Sequence, residues 1–209
     1  MIKLYNDELK IEKSEVARYL GYGKTEPDEA VKKLICEKIN QLKYDLKVCY
    51  LPLSVFKNQN GRIEFDCFSI ESHDLSKFIG DAQKVILFCA SLGIEFDRLL
   101  KREMVLSTSG ASVLQAVGTS AIEALCDRFC GEFNAKARFS PGYGDLDVSV
   151  QKDIFKVLNP EKNIGVTLTD SFLMTPTKSV TAFFVPGREK NCDTCSNCDK
   201  KETCTFRKV

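Results

Sequence analysis

Arg138-Phe139-Ser140-Pro141-Gly142-Tyr143-Gly144-Asp145 places a guanidinium, a proline-fixed turn, two glycines, an aromatic ring and a carboxylate within eight residues. Glycine on either side of Tyr143 lets the backbone come close to a bound molecule, because no Cβ intervenes. Pro141 fixes the entry to the turn and biases the residues before it towards extended geometry. A loop so built can present amide groups, a fork of N–H donors and a π-face to one small zwitterion. The plainer alternative is a surface turn with an incidental charge, since Pro-Gly turns are common.

A second cluster is Cys192-x2-Cys195-x2-Cys198-x5-Cys204, four thiols within thirteen residues, separated by polar side chains. Each x2 step can point two thiolates at one ion. Structural zinc sites usually join two such pairs through a longer segment. Three cysteines in consecutive x2 steps with a nearby fourth are closer to a ferredoxin-type run. The spacing favours an Fe–S cluster, with zinc and a thiol redox site as alternatives. The other six cysteines stand among apolar residues and read as small core hydrophobes.

Composition narrows the classes. A chain of 209 residues is long enough for a real core, and its net charge of +1 is spread over both signs. Neither nucleic acid nor an anionic membrane is indicated, no apolar run approaches the ~20 residues of a membrane span, and the N-terminus is not a signal peptide. Reduced thiols and the missing leader point to a soluble cytoplasmic protein. His73, the one histidine, sits in a polar helix-start segment, against histidine-dependent hydrolysis or a multi-histidine metal site.

The elements that must position the loop follow from periodicity. Ser14 to Tyr22 reads as a short helix, and a second starts with Pro27 in its first turn and runs through Leu42. Leu46 to Phe56 and Arg62 to Phe68 read as strands around the turn Asn58-Gln59-Asn60-Gly61. Ser76 to Gly80 is helical, Lys84 to Ser91 is a buried strand, and Glu95 to Leu106 is an amphipathic helix. Gly110 to Phe133 is a longer helix whose apolar face carries Val113, Leu114, Val117, Ala121, Ala124, Leu125 and Phe129. Glu123 falls with Ala116, Ser120 and Asp127 on the opposite face, which the pattern leaves to solvent. A helix from Val150 stops at Asn159-Pro160, and Ile164 to Leu168 and Ser179 to Phe184 read as strands. The order is not a regular βαβ rhythm, so the fold class is α+β with a mainly antiparallel sheet. Pro186-Gly187-Arg188 separates residues 1–187 from a four-cysteine tail, 188–209.

Two ordered motifs carry a resemblance. Arg138 to Tyr143 is followed by Leu168-Thr169-Asp170-Ser171-Phe172-Leu173-Met174, Pro176 and Ser179-Val180. Together they resemble the activation (reactivation) domain of vitamin B12-dependent methionine synthase, most strongly over 110–184, and a version of it encoded as a separate protein. After Gly-Tyr the fused enzymes continue Pro-Ala-Cys-Pro, where this chain has Gly144-Asp145-Leu146-Asp147.

The resemblance implies a curved sheet flanked by helices and a site for S-adenosylmethionine. Arg138 would hold the methionyl carboxylate. Ser140, Pro141 and Gly142 would offer backbone to the ligand, Tyr143 would face the sulfonium or a corrin, and Glu123 would take the amino group. Lys178 and Ser179 would line the cleft, and Met174 belongs to the core. Cobalamin would be carried by a partner, a methionine synthase or another corrinoid protein. A flavodoxin- or ferredoxin-like reductant would supply the electron, for which the cysteine tail would be a relay. The expected function is reductive remethylation of cob(II)alamin; the alternative is a docking subunit for a corrinoid protein, its tail a structural zinc staple or an electron relay.

Overall fold

The apolar runs separate into strands and helices at caps that the sequence supplies. A computed structural model describes residues 1–5, 9–23 and 25–188. The tail cysteines Cys192, Cys195, Cys198 and Cys204, with the metal expected on them, lie outside these residues.

In chain order the elements are β1 (Ile2–Tyr5), α1 (Lys13–Tyr19), α2 (Glu29–Gln41), β2 (Leu46–Gln59), β3 (Arg62–Phe65), β4 (Ser69–Glu71), α3 (His73–Ile79) and β5 (Lys84–Ser91). There follow α4 (Ile94–Leu106), α5 (Thr108–Gly131), α6 (Gln151–Leu158), α7 (Pro160–Ile164), β6 (Thr167–Leu168), β7 (Met174–Thr175) and β8 (Ser179–Phe184). The main sheet has the order β4-β3-β2-β5-β8, with β1 also on β2. Its pairings are antiparallel, as the α+β reading requires. β2 belongs to both halves of the sheet: residues 47–54 pair with β5, and residues 55–59 pair with β3 across a bulge between Val55 and Lys57. A bulge bends and twists its strand, which curves the sheet.

Alternate residues of β5 feed two cores. Ile86, Phe88 and Ala90 pack with Leu114, Leu125 and Phe129 of α5, while Val85, Leu87 and Cys89 pack with α3, α6 and α7 through Leu75, Ile154 and Ile164. A third cluster joins Val16 and Ala17 of α1 and Ile35 of α2 to Val113, Ala116 and Val117 of α5. Helix α5 is therefore covered on two sides. This corrects the expectation of one solvated face: Ala116 and Ser120 are buried, and Ala116 packs with residues of α1 and α2.

Caps move several boundaries. Asp28 caps α2 by accepting the Val31 amide at 2.9 Å, so Pro27 precedes the helix instead of sitting in its first turn. Ser72 caps α3 and starts it at His73, three residues before Ser76. Asn159 in the left-handed region (φ 47°) ends α6 and caps a short α7 with Pro160 in its first turn, where a simple stop is expected. That helix takes Ile164, so the strand read from 164 shrinks to Thr167–Leu168. Of the six described cysteines, Cys49, Cys89, Cys126 and Cys130 are buried, Cys36 is partly buried, and Cys67 is exposed, contrary to the core reading.

Candidate functional site

The stretch 135–139 alternates, with Ala135, Ala137 and Phe139 buried. Phe139 exchanges two backbone bonds with Phe183 of β8, both at 2.8 Å, which fixes the neighbouring Arg138 on the other side of the chain. Its guanidinium reaches α5, where Nη2 donates to Glu123 and Nη1 to Asp127. The Arg138 side chain is 14% exposed, against 41% for Glu123 and 65% for Asp127. Burial alone would lower the Arg138 pKa; Cys126 and the carboxylates of Glu123 and Asp127 outweigh it, and the balance is upward. One cation against two carboxylates leaves this cluster with a net negative charge.

Asp127 is the residue the sequence reading omits from the site. Glu123 and Asp127 stand four apart on one helix face, and two like charges so placed repel unless a cation lies between them. That spacing was the available signal.

After Arg138 the loop turns on itself. The Gly142 amide donates to the Leu146 carbonyl at 2.7 Å, the Tyr143 amide to the Ser140 carbonyl at 3.1 Å, and the Leu146 amide to the Tyr143 carbonyl at 3.0 Å. Tyr143 packs edge-on against Phe139, yet its ring remains about half exposed. Burial, then the Glu123 charge, pushes its hydroxyl pKa up. Tyr19 of α1 is raised in the same order, which places it in the field of the same carboxylate. The loop thus brings Arg138 and Glu123 into contact, sets Tyr143 beside them, and leaves Ser140, Pro141 and Gly142 at its outer turn.

The second motif forms the hairpin β6–β7. Thr169 and Leu173 close its turn, with Phe172 in the left-handed region at φ 62° and the Lys152 ammonium 5.2 Å from its ring centre. Met174 packs against the second core, as expected. The Thr175–Pro176 bond is cis. Thr177 donates its hydroxyl to Asp97 at 2.6 Å and its amide to the same carboxylate at 3.0 Å. Ser179 is buried, with its hydroxyl bonded to the Pro176 carbonyl, so it does not line a cleft. Lys178 does reach α5: its Nζ lies 2.8 Å from Thr119 Oγ1, one helical turn before Glu123.

Both motifs therefore converge on one face of α5, along Thr119, Glu123 and Asp127. A cleft of about 440 Å³ between α1 and α2, lined by Lys13, Ala17, Ile35 and Cys36 among others, carries none of these residues. We locate the chemistry by the charges on α5 and not by the size of that cleft. No group of three or more His, Cys, Asp or Glu side chains among the described residues is placed to hold a metal. No helix among them is long and apolar enough to cross a membrane.

Comparison with known proteins agrees with the motifs. The family model for the vitamin B12 dependent methionine synthase activation domain matches residues 123–208, 86 of the 209. The match opens at Glu123 and runs through the cysteine tail, which the sequence reading sets apart as an appendage. Among solved structures, the MetH reactivation domain bound to AdoHcy superposes with a TM-score of 0.62 at 14% identity. That alignment covers 91% of this chain and 79% of the other, and it shows a shared fold. No curated protein matches the chain. In its motifs, its family signature and its fold, the chain is similar to the activation domain of vitamin B12-dependent methionine synthase.

Proposed function

We propose that this chain reactivates a cobalamin-dependent methyltransferase of the methionine synthase type by positioning S-adenosylmethionine for reductive methylation of cob(II)alamin. The observation that carries the reading is the meeting of Arg138 and Tyr143 with Glu123 on α5, at the point where the family match begins. The solved relative with this fold was captured with AdoHcy, the product of such a methyl donor.

Each residue has a task. The net negative charge of Glu123, Asp127 and Arg138 suits a ligand that carries an ammonium and a sulfonium. Glu123 takes the ammonium, and Arg138, whose two Nη atoms already donate to Glu123 and Asp127, holds that carboxylate in place. The Ser140 carbonyl and the Gly142 amide are bonded within the loop, so the turn would offer the Pro141 and Gly142 carbonyls to the adenosine. Tyr143, half exposed, sits where a corrin carried by the partner would arrive. That cobalamin, once given an electron by a flavodoxin- or ferredoxin-like reductant, supplies the nucleophile that accepts the methyl group. The protein contributes by positioning, converting a three-body encounter into a docked one.

The four tail cysteines, Cys192, Cys195, Cys198 and Cys204, are proposed as ligands of an Fe–S cluster, with zinc as the alternative. Iron, acid-labile sulfide and zinc analysis of anaerobically purified protein separates the two.

A docking subunit without donor binding is favoured by a single observation: Met104, Val105 and Leu106 at the end of α4 are consecutive and exposed. The test is a remethylation assay with a cob(II)alamin-loaded corrinoid protein, S-adenosylmethionine and a chemical reductant. Methylcobalamin formed only when this chain is present supports reactivation. Binding to the corrinoid protein with no methyl transfer supports docking.

A further inference from the structure

Lys178 is a partly buried cation that forms no ion pair among the described residues. It is wedged where α4 crosses α5, and a Cβ on Gly118 would come within 3.0 Å of its Cε and overlap the Phe96 ring. Its Nζ has one hydrogen-bond partner among the described residues, the Thr119 hydroxyl, and lies 5.8 Å from the centre of the Phe96 ring. Asp97, whose charge acts on it, is already bonded to the amide and hydroxyl of Thr177. Burial lowers the Lys178 pKa and Asp97 only partly opposes this, so its charge is partly held out of water with no ion-pair partner among the described residues.

The other cations near this face are occupied. Arg138 donates to Glu123 and Asp127, and Arg18 of α1 is paired with Glu15 and stacked on Tyr19. Thr119, Glu123 and Asp127 recur every four residues along α5, about 6 Å apart in rise. Lys178 stands over the first of them and Arg138 over the other two.

We propose that Lys178 is the carboxylate-binding residue of this face of α5, receiving the α-carboxylate of an amino-acid-bearing ligand whose ammonium rests on Glu123. The inference rests on the reading above for the class of ligand, and it assigns the carboxylate to Lys178 in place of Arg138. An ammonium relieved of Thr119 as its sole partner gains a charge-assisted bond at a site already partly desolvated. The polarity of the α5 face, cationic at Thr119 and anionic from Glu123 onward, fixes which way round the zwitterion lies.

The test is calorimetric binding of S-adenosylmethionine and of 5′-methylthioadenosine, which lacks the amino-acid portion, to the full chain and its variants. Lys178→Met should weaken S-adenosylmethionine roughly 30-fold or more while methylthioadenosine stays within about 2-fold. Lys178→Arg should restore most of the loss. Lys178→Gln, which keeps a hydrogen-bonding end group without the charge, carries the same expectation if the methionine variant does not fold. S-adenosylmethionine binding unchanged in Lys178→Met, or equal losses for both ligands, overturns this assignment and leaves the proposed function standing. Wild-type protein that binds methylthioadenosine but not S-adenosylmethionine also overturns the assignment. Wild-type protein that binds neither removes the proposed function and the assignment with it.

Discussion

Asp74 and Asp145 bond each other's backbone: the Asp74 amide donates to Asp145 Oδ1 at 3.1 Å, and the Asp145 amide donates to Asp74 Oδ2 at 3.2 Å. The His73 amide at 2.7 Å and the Ser72 hydroxyl also donate to Asp145. The end of the site loop is thereby tied to the first turn of α3. Gly144 permits it, since a Cβ there would overlap the Asp74 carboxylate and its φ is 53°. This is a structural use for the Gly-Asp pair that stands where the fused enzymes have Pro-Ala.

Those donors, the Ser72 hydroxyl foremost, hold the Asp145 pKa below its usual value. A carboxylate depressed in the folded state contributes stability that is present above the unfolded value of about 3.9 and lost as pH falls through the lower folded value. Asp145→Ala should therefore cost about 1 kcal/mol at pH 7, by loss of the cap-like bonds. Urea unfolding of both proteins should show that difference at pH 7 and at pH 5, and find it shrinking below pH 4.

Lys38 of α2 and Glu103 of α4 form a buried ion pair at 2.7 Å, with Gln41 as a further partner of the ammonium. Removing one partner strands the other charge. Glu103→Ala should cost about 3–5 kcal/mol, and the double change Lys38→Met with Glu103→Leu should recover most of it. Denaturant midpoints of the three proteins check the order.

Much of this architecture was legible where a local pattern decides the structure. β5 and β8 follow their apolar runs, with the bounds read from the sequence, because a strand buried on both faces needs no partner-specific signal. β1 escaped notice because four residues of alternating exposure carry too little periodicity, and its place is set by pairing with residues 46–49 of β2. Asp28, Ser72 and Asn159 moved helix starts by side-chain bonds that periodicity does not register. In the site, Arg138 and Tyr143 were named from the loop motif, and Glu123 from the resemblance, against a pattern that left it to solvent. The partnership of Arg138 with Asp127, and of Lys178 with Thr119, joins residues 11 and 59 apart. Only the packing of the loop and the hairpin onto α5 brings them together.

The buried thiols behind the site should be chemically silent. Burial, opposed by Arg138, pushes the Cys130 thiol up to about 12, and burial raises Cys126 as well. Thiolate is the reactive form, so neither should be alkylated in native protein at pH 8. Cys67, exposed beside Asp66, should be the described cysteine that labels in the native state. Peptide mapping by mass spectrometry before and after unfolding checks this; native labelling of Cys126 or Cys130 would mean that α5 opens.

Reactivation by this chain requires that the carboxylate held by Arg138 receive the methyl donor. The direct measurement is calorimetric titration of S-adenosylmethionine into anaerobically purified full-length chain, beside Glu123→Gln. The account predicts saturable binding at one site, weakened roughly 30-fold or more in the variant without loss of fold. A flat titration with folded wild-type protein, or equal affinity in Glu123→Gln, would contradict it.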